Sequence, residues 1–173
     1  MAHPGHPIAN GLAEGLAHPV SGLDHLLAMV AVGLWAVQLG GKAKWVLPSV
    51  FVSLMAVGAA LGFEGIGLPF VEVGILASVM ILGLLLLTAS RWSLPVSAVM
   101  VGTFAMFHGH AHGTELSTHF SGVSYGLGFV IATAALHFGG ILMGNCAQRH
   151  ARIGLLRYAG AVVVVAGLWL TVS

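Results

Sequence analysis

The chain has 173 residues, of which 58% are hydrophobic and only 6% are charged. Soluble domains usually carry about 25% charged residues, so this composition excludes a soluble globular domain and predicts a polytopic membrane protein. The formal net charge of +1 gives no electrostatic reason to expect a nucleic-acid partner, and the single cysteine, Cys146, excludes an internal disulfide. The unusual feature is that ten histidines accompany only 6 Lys or Arg and 5 Asp or Glu residues.

The first residues, MAHPGHPIANG, contain no apolar core and are therefore not a signal peptide. Either a signal peptide has been removed before residue 1 or none is needed, and the sequence leaves both alternatives open. We expect residues 1–17 to form a histidine-containing segment outside the membrane that carries His3 and His6.

Six apolar stretches follow in the chain, each near the ~20 residues that a membrane-spanning helix needs. The predicted spans are residues 21–39, 45–61, 71–89, 94–115, 123–143 and 153–172. Short links that contain glycine, proline or charged residues separate them. The sequence therefore predicts an all-α fold, a bundle of six transmembrane helices that forms one domain over residues 1–173.

Basic residues set the expected orientation of this bundle. Every Lys and Arg falls on the same side of the predicted membrane: Lys42, Lys44, Arg91, Arg149, Arg152 and Arg157. The links on the other side carry Glu64, Glu72 and His119 but no Lys or Arg, and we interpret the two glutamates as solvated loop charges. The positive-inside rule then predicts that both termini lie outside. Pairs such as Gly58 and Gly62 have the spacing that lets membrane helices approach closely.

The end of the fourth predicted span, FHGHAHGTE at residues 107–115, contains three histidines and a glutamate. His108, His112 and Glu115 are spaced i, i+4 and i+7, which places them on one face of an α-helix. His110 points to roughly the opposite side of a regular helix. Because this span runs outward, the group lies at the outer face of the membrane.

A second polar group lies at the outer end of the first predicted span, in HPVSGLDHLLAM. Pro19 suits the first turn of a helix, and on a helix that starts there His18, His25 and Met29 share a face. Asp24 points to a different side of that helix. An ionisable residue in a span is costly and usually pairs or marks a pathway, so Asp24 either contacts metal or holds the second nitrogen of a histidine.

Helix direction brings these two groups to the same membrane face. Imidazole suits metals such as Zn, Cu, Fe and Ni, so the sequence predicts a metal site to which both groups contribute. His3, His6 and His119 would concentrate metal at its entrance. His137 in the fifth span lies past the midplane and is a candidate inner station of a metal path.

Individual members of this set also have structural interpretations. A single buried histidine such as His137 is often an interhelical hydrogen bonder, and Met29 suits core packing. His18 and Glu115 also fit solvent beyond the helix ends, and His150 fits the inner interface. The joint occurrence of both polar groups at one membrane face still favours metal binding.

At these residues the chain resembles the HupE/UreJ family of bacterial nickel and cobalt permeases. The first matching motif is His18, five further residues and then Asp24-His25, and the second is FHGHAHGTE. The order of apolar segments extends the resemblance over nearly the whole chain. The resemblance implies a six-span permease of the bacterial inner membrane that takes up Ni²⁺, or sometimes Co²⁺, often for hydrogenase or urease. It also implies a metal site made of these residues: His18, Asp24, His25, His108, His110, His112 and Glu115.

The predicted function is therefore a secondary permease whose partners are a divalent metal ion and the lipid bilayer. The metal is cargo, no prosthetic group is expected, and the sequence contains no P-loop or other nucleotide motif. A membrane-embedded zinc or iron metalloenzyme and a metal-binding sensor stay open as alternatives. His108 and His112 have the spacing of H-E-x-x-H hydrolases, but Gly109 replaces the general-base glutamate. The choice among Ni²⁺, Co²⁺ and Zn²⁺, the coupling ion and a homo-oligomeric state also stay open.

Overall fold

The computed structural model describes residues 7–115, 122–150 and 153–172, and all regular structure in these residues is α-helical. Seven helices follow one another: α1 (Pro7–Ser21), α2 (Leu23–Leu39), α3 (Ala43–Phe63), α4 (Val71–Leu87), α5 (Leu94–Glu115), α6 (Gly122–Arg149) and α7 (Ile153–Leu170). The predicted all-α class is confirmed. Three histidines expected at the entrance of a metal path lie outside the described residues: His3, His6 and His119.

The first predicted span differs most from the structure. Pro19 does not begin a helix; it lies inside α1, and the chain breaks at Gly22 before α2 begins. Gly22 is extended, with φ −93° and ψ 118°, and the two helices are bent by 81° relative to each other. The expectation that His18 shares a helical face with His25 and Met29 is therefore wrong, because His18 is on α1 and the other two residues are on α2.

Close backbone contact with α6 stabilises α1. A Cβ atom at Gly15 would meet the backbone of Tyr125, and one at Gly128 would meet the backbone of Leu12. Small residues at both positions allow the two helices to lie almost backbone to backbone. The predicted external segment thus includes a packed helix from Pro7 onward, which composition alone did not reveal.

Helices α3 and α5 form the most extensive contact of the fold and run parallel to each other. A Cβ atom at Gly58 would meet the backbone of Met106, and one at Gly62 would meet the backbone of His110. From the other side, Gly109 lies against the backbone of Met55. The close approach predicted for Gly58 and Gly62 is confirmed. Helix α2 contacts α1, α3, α4, α6 and α7 and is therefore the centre of the apolar core.

Side-chain hydrogen bonds connect the helix ends that carry the basic residues. Lys44 Nζ donates to Asn145 Oδ1 at 2.7 Å, and Gln148 Nε2 donates to the carbonyl oxygen of Val37 at 3.0 Å. We call this region the basic end, defined by Lys42, Lys44, Arg91, Arg149 and Arg157. The ends of α2, α4 and α6 and the starts of α3, α5 and α7 meet there, so α2 to α7 alternate in direction.

The described helices are compatible with a membrane protein. By length and composition, α3 and α6 can cross a membrane, and the bent α1–α2 pair adds a third span if it is counted as one. Helix α4 and the segment Gly154–Leu170 of α7 are apolar but shorter. Helix α5 has 22 residues, and its last turns carry the histidines. The count of six spans with both termini outside stays a prediction.

Candidate metal site

Four helix ends meet at the end of the bundle opposite the basic end, which we call the histidine end. His18 lies in the last turn of α1 and His25 in the first turn of α2. His112 and Glu115 lie in the last turn of α5, and Glu72 lies in the first turn of α4. The bend between α1 and α2 therefore brings His18 and His25 into one site although they sit on different helices.

These side chains line an open cavity of about 240 Å³. Its lining combines three imidazoles with three carboxylates: His18, His25, His112, Asp24, Glu72 and Glu115. Asp24, expected on a different side of its helix, lines the same cavity as His25. Glu72 is exposed, as expected for a solvated charge, but it lies in a helix and not in a loop. Both carboxylates lie in the first turn of a helix that begins at the cavity, where the helix dipole also favours a negative charge.

The outermost part of the site is formed by His18, His112 and Glu115. Glu115 Oε2 lies 3.2 Å from His18 Nε2 and 3.7 Å from His112 Nδ1. One ligand atom from each of the three residues lies within 4.8 Å of the others. Nitrogen and oxygen ligands bind a metal such as zinc at about 2.0–2.2 Å, so small side-chain rotations allow these three residues to share one ion.

Behind this group, imidazole rings form a row that leads into the protein. The ring centroids of His18 and His112 are 4.6 Å apart, those of His112 and His25 are 4.3 Å apart, and those of His25 and His108 are 4.5 Å apart. His18 is partly exposed, with 33% of its side chain accessible, whereas His108 is fully buried. We call these four residues the histidine row. The row connects the cavity with the interior of the bundle.

Asp24 fixes the orientation of the His25 ring. Asp24 Oδ1 accepts hydrogen bonds from His25 Nδ1 and from the backbone N–H of His25, both at 2.8 Å. A carboxylate can only accept, so the proton of the neutral ring is on Nδ1. The lone pair of Nε2 is therefore free for a metal ion, as in histidine ligands that a carboxylate orients.

Ser78 on α4 does the same for His108. Its hydroxyl donates to the carbonyl oxygen of Ile75 at 2.6 Å and lies 2.8 Å from His108 Nε2. Since the hydroxyl has only one proton, it accepts from Nε2–H, and the neutral ring of His108 keeps its lone pair on Nδ1. We did not identify Ser78 from the sequence; the only signal was a hydroxyl inside the apolar run of α4.

Several ring nitrogens of the row are buried without a hydrogen-bond partner among the described residues: His25 Nε2, His108 Nδ1 and both nitrogens of His112. The 3.7 Å from His112 Nδ1 to Glu115 is too long for a hydrogen bond. Buried polar atoms normally find partners, so each exception needs an explanation. A set of metal ligands requires free lone pairs that converge in one region, and these nitrogens meet that requirement.

Three of the predicted site residues lie apart from the row. His110 faces the other side of α5, as expected, and its Nε2 lies 2.9 Å from the carbonyl oxygen of Ile66. Met29 is fully buried in the apolar core around α2. His137 is buried on α6 and contacts Phe51, which in turn contacts His108. The structure therefore assembles His18, Asp24, His25, His108, His112 and Glu115, and adds Glu72 and Ser78.

An apolar helical protein with a row of buried imidazoles and a cavity lined by carboxylates fits the class of membrane proteins and carries a candidate metal site. Its sequence matches the family described as HupE / UreJ protein over residues 1–170. It is also 50% identical over 167 residues to Protein HupE of Rhizobium leguminosarum bv. viciae, covering 95% of this chain and 86% of that protein. The chain belongs to the HupE/UreJ family, which is associated with nickel and cobalt transport.

Family membership confirms the resemblance inferred from the two histidine motifs. It indicates a transporter-type protein rather than an enzyme. No solved structure matches this chain.

Proposed function

We propose that the chain is a secondary permease that takes up a divalent transition metal, Ni²⁺ first and Co²⁺ as the alternative, across the bacterial inner membrane. The observation that carries the proposal is the histidine row, which leads from the partly exposed His18 to the fully buried His108. Imidazole nitrogen is a good ligand for nickel and its neighbours in the periodic table.

The carboxylates of the cavity provide the first attraction for the cation. Glu115 is the most exposed member of the outer group, with 59% of its side chain accessible. Asp24 and Glu72 line the same cavity and add negative charge. A hydrated divalent ion is therefore concentrated at the histidine end, where His18 and His112 replace part of its water shell.

The spacing of the row suits a stepwise transfer. Neighbouring ring centroids are 4.3 to 4.6 Å apart, so an ion can bind the next imidazole before it leaves the previous one. Asp24 and Ser78 hold the rings of His25 and His108 so that one nitrogen of each has a free lone pair. The ion thus keeps nitrogen ligands while it loses water.

The proposed orientation has six membrane spans, both termini outside and the histidine end facing outward. It is supported by the alternation of α2 to α7 and by the basic residues at the opposite end of the bundle. A membrane potential that is negative inside then favours inward movement, by about 2.3 kcal/mol per elementary charge for each 100 mV.

The test is uptake of radioactive nickel into sealed proteoliposomes that contain the purified full-length chain. We expect wild-type uptake to be reduced by excess Co²⁺ and to a smaller extent by Zn²⁺. His25→Ala removes a central member of the row, and we expect it to abolish uptake. His150→Ala is the matched control, because His150 is exposed at the basic end and belongs to no part of the site.

Normal uptake by a well-folded His25→Ala protein would refute the role of the histidine row. Absence of uptake by the wild type, with nickel still bound tightly by the detergent-purified protein, would refute the permease and favour the sensor or the metalloenzyme.

A further inference from the structure

Among the described residues, His137 is the most deeply buried histidine outside the histidine row. Only 1% of the residue is exposed, and neither ring nitrogen has a hydrogen-bond partner among the described residues. An unsatisfied buried polar group costs about 1–3 kcal/mol. The expected structural role of a lone histidine, a hydrogen bond to a neighbouring helix, is therefore absent from this part of the fold.

Phe51 on α3 stands at the junction between His137 and the histidine row. Its ring centroid is 4.9 Å from that of His137 and 5.7 Å from that of His108. Phe51 is itself completely buried. A cation that leaves His108 toward His137 therefore has to pass an apolar ring, and that ring marks the inner end of the row.

A second cavity, of about 400 Å³, lies next to His137 between α3 and α6 as a groove that is open to the side of the bundle, with Trp45 and Phe138 exposed in its walls at 70% and 53%. On α3 its lining begins at Lys44 and ends at Ser53, and His137 is part of its wall on α6. Those nine steps along α3 correspond to about 14 Å of helix. Since Lys44 belongs to the basic end, this cavity reaches from that end to the level of Phe51. The first cavity, with His25 and His112, opens at the histidine end.

We propose that His137 is a second binding station for the divalent cation, from which the cation is released into the cavity at the basic end. This inference rests on the proposed function, because it assumes that a cation travels along the histidine row. One imidazole, together with water and the hydroxyls of Ser49 and Ser53, offers fewer strong ligands than the row does. Weaker binding there suits release.

The positive charge of Lys44 also supports release of the cation at the basic end. Lys44 is part of the cavity lining, and its ammonium group donates to Asn145 Oδ1 at the basic end. A positive charge near the exit lowers the affinity for a second cation. The carboxylates are all at the other end of the path, so the charges favour capture at the histidine end and release at the basic end.

The first test replaces His137 by leucine, an apolar residue that removes the unsatisfied nitrogens. Loss of even an outer partner of a metal ligand costs about 10- to 100-fold, so we expect nickel uptake into proteoliposomes to slow by about tenfold or more. Nickel affinity of the detergent-purified His137→Leu protein should stay close to that of the wild type, because the histidine row is intact. His25→Ala should lose both properties.

The second test determines whether the cavity contains water. It does not depend on a transport assay. We would introduce Ser53→Cys into a Cys146→Ser chain in lipid nanodiscs and add a charged, water-soluble thiol reagent. The matched control is Val162→Cys, which faces outward from α7 at a similar depth, with 46% of the residue exposed. We expect Ser53→Cys to react at least about tenfold faster, because a charged reagent enters water-filled space but not hydrocarbon.

The outcomes separate this inference from the proposed function. Wild-type uptake that persists unchanged in His137→Leu would overturn the station while leaving the permease intact. Equal labelling of the two cysteines would show that lipid fills the cavity and would also overturn it. A wild-type protein without uptake would refute the permease and the station together. If the His137→Leu protein misfolds, the labelling rates of the Ser53→Cys and Val162→Cys proteins alone decide whether the station is refuted.

Discussion

Ser78→Ala is the sharpest perturbation of the site, because it removes one oxygen atom and changes no ligand. Without the hydroxyl, the buried Nε2–H of His108 loses the acceptor 2.8 Å away, which costs about 1–3 kcal/mol of folding free energy. The proton of the neutral ring is then free to move to Nδ1. Because hydrogen-bond partners of metal-binding histidines contribute about 10- to 100-fold to metal affinity, we expect nickel to bind more weakly by about that factor.

The assay is calorimetric titration of the detergent-purified protein with nickel, together with thermal unfolding in the absence of metal. Ser97→Ala is the matched control: Ser97 is also fully buried, but its hydroxyl has no hydrogen-bond partner among the described residues and contacts no histidine of the row. Unchanged nickel affinity in Ser78→Ala, or an equal loss in Ser97→Ala, would refute the tautomer argument.

Two further predictions follow from the packing and the orientation. Gly109→Ala should lower the unfolding temperature and disturb nickel binding, because its Cβ would meet the backbone of Met55 and overpacking costs about 1–3 kcal/mol. Gly139→Ala is the control and should have neither effect, because a Cβ atom at Gly139 meets nothing within 4 Å. Equal unfolding temperatures of the two variants would contradict the close α3–α5 contact. Cys146 is exposed near the basic end, so a membrane-impermeant maleimide should label it in inverted vesicles but not in intact cells. Gly67→Cys in a Cys146→Ser chain should show the reverse pattern, and labelling of Cys146 from outside would exclude the proposed orientation.

Apolar runs predict most helix positions, and the exceptions depend on contacts between distant segments of the chain. Helix α5 has the predicted limits, and Pro95 lies in its first turn, where proline favours a helix start. Helix α6 continues past the predicted end at residue 143 to Arg149. Its last turns are polar, and Asn145 and Gln148 make hydrogen bonds to α3 and α2 that hydropathy does not register. Helix α1 was not predicted because it depends on contact with α6, about 110 residues later in the chain.

The candidate site was partly predictable for a similar reason. Spacing within one helix correctly grouped His108, His112 and Glu115, because the i, i+4 and i+7 pattern is local. His18 reaches the same cavity by the bend between α1 and α2, not by a shared helical face. Glu72 lies on α4, and its approach to the cavity depends on how α4 packs against α2 and α5. Such contacts between distant segments leave no periodic pattern in the sequence.

Buried polar side chains without hydrogen-bond partners are concentrated in four histidines of the described residues. At the basic end, the buried Gln38 donates from Nε2 to the carbonyl oxygens of Leu85 and Ser90, both at 3.0 Å. Of the seven buried side-chain nitrogen and oxygen atoms without a hydrogen-bond partner among the described residues, six belong to His25, His108, His112 and His137. A fold that pairs Gln38 twice can satisfy its polar groups. Free lone pairs along one line of histidines therefore favour a path for cations over a structural role for these residues.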